Sequence, residues 1–242
     1  MHTELTLEIL AQPTDETCGP ACLHAVYGFF GETLSLGQVV DEVKRLGTGG
    51  TLAAYLGAHA LARGYRTTIY TYNLELFDPT WFSEPELRLE EHLREQAKVK
   101  ESRRLQTATE AHLEYLEDGG SVRFEELTPD LIRRILSNQL PIMTGLSATY
   151  LYGCAREVYD VEGGSVYDSI RGTPTGHFVV LHGYDPNTDS VLVADPYRDN
   201  PFAGGHNSRV GIVRLLGAIM LGVLSSDGNL LVVEPPEEEE DR

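Results

Sequence analysis

Residues 12 to 22 read QPTDETCGPAC, a polar, turn-forming run that ends on a cysteine, a glycine and a proline just before an apolar helix. At such a boundary Cys18 meets the unpaired N–H groups and the positive dipole end of a helix, which favour a reactive sulfur. Gly19 removes a side chain that would crowd an incoming substrate. Pro20 fits a first helical turn, where its missing N–H costs nothing. The local pattern suits an exposed nucleophile, and a nucleophilic cysteine needs a base.

Of the eight histidines, His177 opens the strand GHFVVLHGYD directly after a glycine-rich loop. That strand and SVLVADP, joined by the turn-forming PNTD, predict a hairpin. Pairing the two strands sets His177 opposite Pro196 or Tyr197, with Asp195 a residue or two away as its partner. Asp185 falls at the far end, roughly 26 Å off at about 3.3 Å per residue, and leaves the site. His182 stands an odd number of residues from His177, on the other sheet face, and reads as a structural histidine. Gln12, six residues ahead of Cys18, has an amide able to donate to an oxyanion beside the Cys18 backbone N–H. Cys18, Cys22 and His24 also invite a metal reading. His24 points elsewhere on the helix and no second Cys/His pair appears, so no metal site is predicted. Cys22 reads as a small buried residue, and Cys154 has no evident partner.

Other elements must position these groups. Apolar spacing predicts a helix through Cys22 to Phe30 stopped by Gly31, and a second one capped by Ser35 and ended by Gly47. A third runs from about Thr51 to Gly64, and YRTTIYTYN follows as a strand. Residues 83–120 are dense in charge and read as a helical insertion, either a solvated arm or a lid. TPDLIRRILSNQ starts a helix at Thr128 and Pro129, and LPIMTGLSATYLY is an apolar strand and its exit. Residues 153–176 read as a long loop of the kind that carries function. Tyr150 and Tyr152, with Gly176 at its end, are candidates to line a substrate groove alongside Gly19. The run from Val210 to Leu224 reads as a core helix leading into a strand, and LLVVE as a last strand before an acidic tail.

QPTDETCGPAC, GHFVVLHGYD and VLVADP together resemble the peptidase C39-like family of papain-fold cysteine peptidases, whose founding members trim double-glycine leader peptides. The resemblance covers both ends of the chain and does not extend to the charged insertion. It implies an α+β, papain-like fold: an N-terminal helical half carries the cysteine helix, and a C-terminal antiparallel sheet carries the histidine and aspartate. By position it implies a Cys18, His177 and Asp195 triad with Gln12 in the oxyanion hole, acting by acyl transfer on a peptide or amide. Two alternatives stand beside hydrolysis: a catalytically silent peptide-binding module, and a transferase or amidase acting on a small peptide. No cofactor is called for.

Composition limits the other classes. The 242 residues suit one domain over 1–234, with residues 235–242 as an acidic, disordered tail. A formal charge of -18 argues against nucleic-acid or anionic-membrane partners. The N-terminus does not read as a signal peptide, and the run from Val210 to Leu224 is too short to span a bilayer. Three cysteines, an odd number, suit a reducing compartment, and a cytoplasmic location is expected.

Overall fold

The computed structural model describes residues 3–47, 49–83, 88–159, 165–202, 205–225 and 228–236. Its first half runs β1 (Thr3–Glu4), α1 (Cys18–Phe29), α2 (Leu36–Glu42), α3 (Ala53–Ala62), β2 (Arg66–Thr71), α4 (Leu89–Val99), α5 (Arg103–Glu117) and β3 (Ser121–Arg123). There follow α6 (Pro129–Ser137), β4 (Ile142–Ser147), α7 (Ala148–Tyr152), β5 (Glu157–Tyr159) and β6 (Ser165–Tyr167). The last five are β7 (Gly176–Asp185), β8 (Ser190–Ala194), β9 (Asn207–Gly211), α8 (Ile212–Leu221) and β10 (Asn229–Glu234). The fold is α+β and papain-like.

One sheet, ordered β3-β2-β10-β4-β7-β8-β9 with β1 also on β7, divides the core in two. Its strands are antiparallel except for the β2–β3 pair. In β10, Leu231 and Val233 join the apolar cluster built with α1, α2, α3 and α5, whereas Leu230 and Val232 join the one built with α6, α7 and α8. Helices on both faces explain why this strand is a continuous apolar run and not an alternating one. The sheet also takes in β1, β2 and β3 from the first half of the chain.

Several boundaries differ from the sequence reading, each for a local reason. Helix α2 ends at Glu42, five residues before Gly47, because Val43 turns inward to a buried site and the Lys44 carbonyl accepts the Thr51 hydroxyl at 2.8 Å. The run from Val210 is a strand followed by a helix, the reverse of the expected order. Residues 207–211 pair with β8 at the sheet edge before α8 begins at Ile212. The exit from β4 is a short helix, α7, capped by the Ser147 hydroxyl and closed by Gly153 in the left-handed region at φ 68°. Within 153–176, β5 and β6 form a small two-stranded sheet.

Residues 89–117 pack into the core through Leu93 of α4 and Leu105, Ala111 and Tyr115 of α5. Tyr115 of α5 is fully buried against α3, so close that a Cβ on Gly57 would stand 2.5 Å from its ring. Its hydroxyl accepts from the Thr67 hydroxyl at 2.9 Å and donates to the Ser121 carbonyl at 3.1 Å. Residues 84–87 of the expected insertion, 160–164 of the expected loop and 237–242 of the expected tail lie outside the described residues. No helix among the described residues is long and apolar enough to cross a membrane.

Candidate active site

Helix α1 begins at Cys18 itself. The Thr17 hydroxyl donates to the Thr14 carbonyl at 2.9 Å, and the Thr14 N–H donates back to that hydroxyl at 3.0 Å. This tight turn, and not a side-chain cap on the helix, delivers the cysteine to the helix start. One turn on, the Cys22 thiol donates to the Phe178 carbonyl at 3.3 Å, tying α1 to β7 beside His177. Burial pushes the Cys22 thiol well up, with the neighbouring Cys18 and Asp195 adding to the shift.

His177 sits at the start of β7, paired with Leu146 of β4 and 8% exposed. Next to it the β7–β8 register runs Val180 to Ala194, so the strand exit brings Asp195 alongside the ring. His177 Nε2 donates to Asp195 Oδ1 at 2.8 Å, and Cys18 stands near enough to the ring to add to the upward shift of its pKa. Burial opposes a charged imidazole, but the Asp195 charge and hydrogen bond and the contact with Cys18 outweigh it and raise its pKa to about 10. Asp195 is 1% exposed. Burial would raise its carboxyl, yet the His177 charge and bond, the Tyr152 hydroxyl and the Tyr197 N–H hold it below the usual carboxylate range.

The remaining predicted residues divide into two groups. Gln12, Tyr152, Gly176 and His177 line one narrow cleft of about 50 Å³, together with Tyr197. The backbone N–H of Gln12 donates to the Pro196 carbonyl at 2.9 Å, which fixes the glutamine beside the Asp195 turn. Its Nε2 donates to the Thr14 carbonyl at 2.9 Å, and its Oε1 is buried with no partner among the described residues. Gly19 and Tyr150 are not in the cleft lining. Gly19 is needed for packing: a Cβ there would stand 2.6 Å from Thr51 Cγ2 and 3.1 Å from Leu56 Cδ1. Tyr150 lies 46% exposed against Gly217 of α8.

His182 Nδ1 donates to the Leu5 carbonyl at 3.0 Å where β1 meets β7, at a point where the β7–β8 register shifts. His24 Nε2 likewise donates to the Leu34 carbonyl at 3.0 Å. Two groups around Asp195 escaped sequence reasoning. Tyr152 was seen as a groove residue, but its hydroxyl donates to Asp195 Oδ2 at 2.6 Å. His206 Nδ1 donates to the Asp195 carbonyl at 2.7 Å. Nothing in local spacing pairs positions 152 or 206 with 195. A larger cavity of about 620 Å³, bordered by Leu52, Leu76 and Arg104, holds none of the predicted residues.

Residues 106–208 match the Peptidase_C39 like family. The chain resembles the C39-like peptidases. The matched span takes in His177 and Asp195, begins within the charged segment that the motif resemblance had left out, and lies downstream of Gln12 and Cys18. A structure described as that of a C39-like peptidase from Bacillus anthracis aligns over 98% of this chain and 100% of its own, at 12% identity and a TM-score of 0.51. The peptidase domain of Streptococcus ComA, a bi-functional ABC transporter of a quorum-sensing pathway, aligns over 94% and 98% at 14% identity and a TM-score of 0.43. A double-glycine-motif protease from an AMS/PCAT transporter, solved with its leader peptide, aligns over 97% and 99% at 12% identity and a TM-score of 0.45. No curated protein sequence matches the chain. The C39-like resemblance in sequence and fold supports a function of the cysteine-peptidase type.

Proposed function

We propose that this chain catalyses cysteine-dependent acyl transfer, hydrolysing a peptide or amide bond with Cys18 as nucleophile, His177 as acid and base, and Asp195 as the group that orients His177. The observation that carries the reading is the buried His177–Asp195 pair, bonded at 2.8 Å, with Cys18 at the start of α1 near enough to the His177 ring to act on its charge. With its pKa raised, His177 holds a proton beside the sulfur at neutral pH, which stabilises a negative sulfur by direct charge pairing.

Cys18 Sγ attacks the carbonyl carbon, and the oxygen that becomes negative is met by the Cys18 backbone N–H and the Gln12 amide. The C–N bond breaks as His177 gives its proton to the leaving amine. Water then attacks the thioester, yields a proton to His177 and releases the acid, restoring the thiolate beside a protonated imidazole. The closeness of α1, β7 and the exit of β8 supports this reading: the Cys22 thiol bonds the Phe178 carbonyl and His177 meets Asp195.

The test uses iodoacetamide, because it reads the sulfur without a known substrate. Cys18 alkylation in wild type, followed by peptide mass spectrometry, is expected to stay fast at pH 6 to 7 and to fall at least tenfold in His177→Ala. Equal rates in the two proteins would remove the catalytic assignment.

A further inference from the structure

The Asp195 carboxylate is held by three donors that arrive from different parts of the chain. Oδ1 accepts from His177 Nε2 at 2.8 Å and from the Tyr197 N–H at 2.9 Å, while Oδ2 accepts from the Tyr152 hydroxyl at 2.6 Å. The first two fix one oxygen. The tyrosine takes the second, so that the carboxylate is held at both ends against turning about its Cβ–Cγ bond. Tyr152 also stands over the pair: its ring centroid is 6.3 Å from that of His177 and 5.5 Å from that of Phe202, in an edge contact. The titratable groups facing Asp195 are His177 on β7, Cys18 and Cys22 on α1, Tyr152 on α7, and Tyr197 and His206 in and after the turn that follows β8.

We infer that Tyr152 is a positioning residue of the acyl-transfer site: its hydroxyl locks the Asp195 carboxylate in the plane that presents Oδ1 to His177. This rests on the function proposed above and deepens it. The placement is specific to this tyrosine. Tyr150, two residues earlier on the same short helix, faces α8 and is exposed, so the hydroxyl contact belongs to Tyr152 alone of the two. Burial, and the charge it faces, push the Tyr152 phenol far up, so its hydroxyl remains a donor throughout the working range.

Tyr152→Phe separates positioning from packing, because phenylalanine keeps the ring contacts and loses only the donor. The expected result in the full chain is a melting temperature lowered by a few degrees, with Cys18 alkylation by iodoacetamide at pH 7 slowed by about tenfold. The acid limb of the pH–rate profile is expected to move up by about one pH unit, since an Asp195 that has lost a donor protonates more readily. Tyr152→Ala should lower both the rate and the melting temperature. A wild-type rate and profile in Tyr152→Phe, alongside a slow His177→Ala, would overturn the positioning role and leave the triad standing. A wild-type rate in His177→Ala would overturn both together.

Discussion

Tyr115 and Tyr152 each place a phenolic hydroxyl against the central sheet, one on each side of it, and they answer to different partners. Tyr115 sits in a neutral network, between the Thr67 hydroxyl and the Ser121 carbonyl, with no charge in its circle. Tyr152 donates to a buried carboxylate that is itself paired with a charged ring. A neutral network is satisfied by the fold and serves the fold. A charged one carries a desolvation cost that only its partners offset, so each member controls the state of the others. Changes in the first region should be read in stability alone, and changes in the second in stability, reactivity and the pH dependence of both.

The largest effect expected is on the ion pair. His177 has its pKa raised, so the stability contributed by its charged form is fully present below the ordinary histidine value of about 6.5 and is lost as pH rises through about 10. Asp195 is shifted down, so its own contribution holds above the ordinary carboxylate range and fades only as acid reaches its lowered value. His177→Gln, which leaves the buried carboxylate without a cation, is expected to destabilise by about 3–5 kcal/mol at pH 6 to 7. The gap from wild type should close toward pH 11 in parallel thermal melts. A gap that does not change with pH would mean a neutral imidazole, and the contrast with Tyr115 would lose its electrostatic basis.

Gln12 sharpens the comparison from within the site. Gln12 lines the cleft, with its Nε2 on the Thr14 carbonyl and its Oε1 buried without a partner among the described residues, and the proposed role is met only when an oxyanion forms. Gln12→Ala is expected to lower turnover of an amide substrate by about 10²- to 10³-fold. Alkylation by iodoacetamide should be unchanged, because displacement of iodide builds no oxyanion. If both rates fell together, Gln12 would be holding the Thr14 turn that presents Cys18, and the oxyanion role would go.

Much of this was legible along the chain because it was local. The helix start at Cys18 is announced by the polar run, the glycine and the proline. The His177 to Asp195 pairing follows from a hairpin whose turn residues are plain, and the observed register of Val180 to Ala194 is the one that brings the two together. What was not legible depends on segments far apart in sequence. Gly19 was read as room for substrate, but its neighbours Thr51, just ahead of α3, and Leu56, within it, lie 30-odd residues on, and no local pattern reveals that closeness. The end of strand β9, Val210 and Gly211, fell inside an apolar run that suits a helix; pairing with the edge of β8 decided its conformation. Tyr152 looked like one of two equivalent tyrosines until the fold turned one toward Asp195 and the other toward α8.

The smallest effect expected completes the comparison from the neutral side. Tyr115→Phe keeps the ring, which fills the space left by Gly57 and Gly120, and removes a hydroxyl that both accepts and donates. Two neutral hydrogen bonds are lost, and the buried Thr67 hydroxyl and Ser121 carbonyl must find other partners. The cost should be about 1–2 kcal/mol, read as a lower urea midpoint with an unchanged slope. Cys18 alkylation at pH 7 should remain at the wild-type rate, because nothing in the Tyr115 network touches His177 or Asp195. A slowed Cys18 in this variant would mean that α5 transmits its packing through α3 to Gly19 and the start of α1. The two regions would then be one mechanical unit, and Tyr152→Phe would have to be reinterpreted beside it.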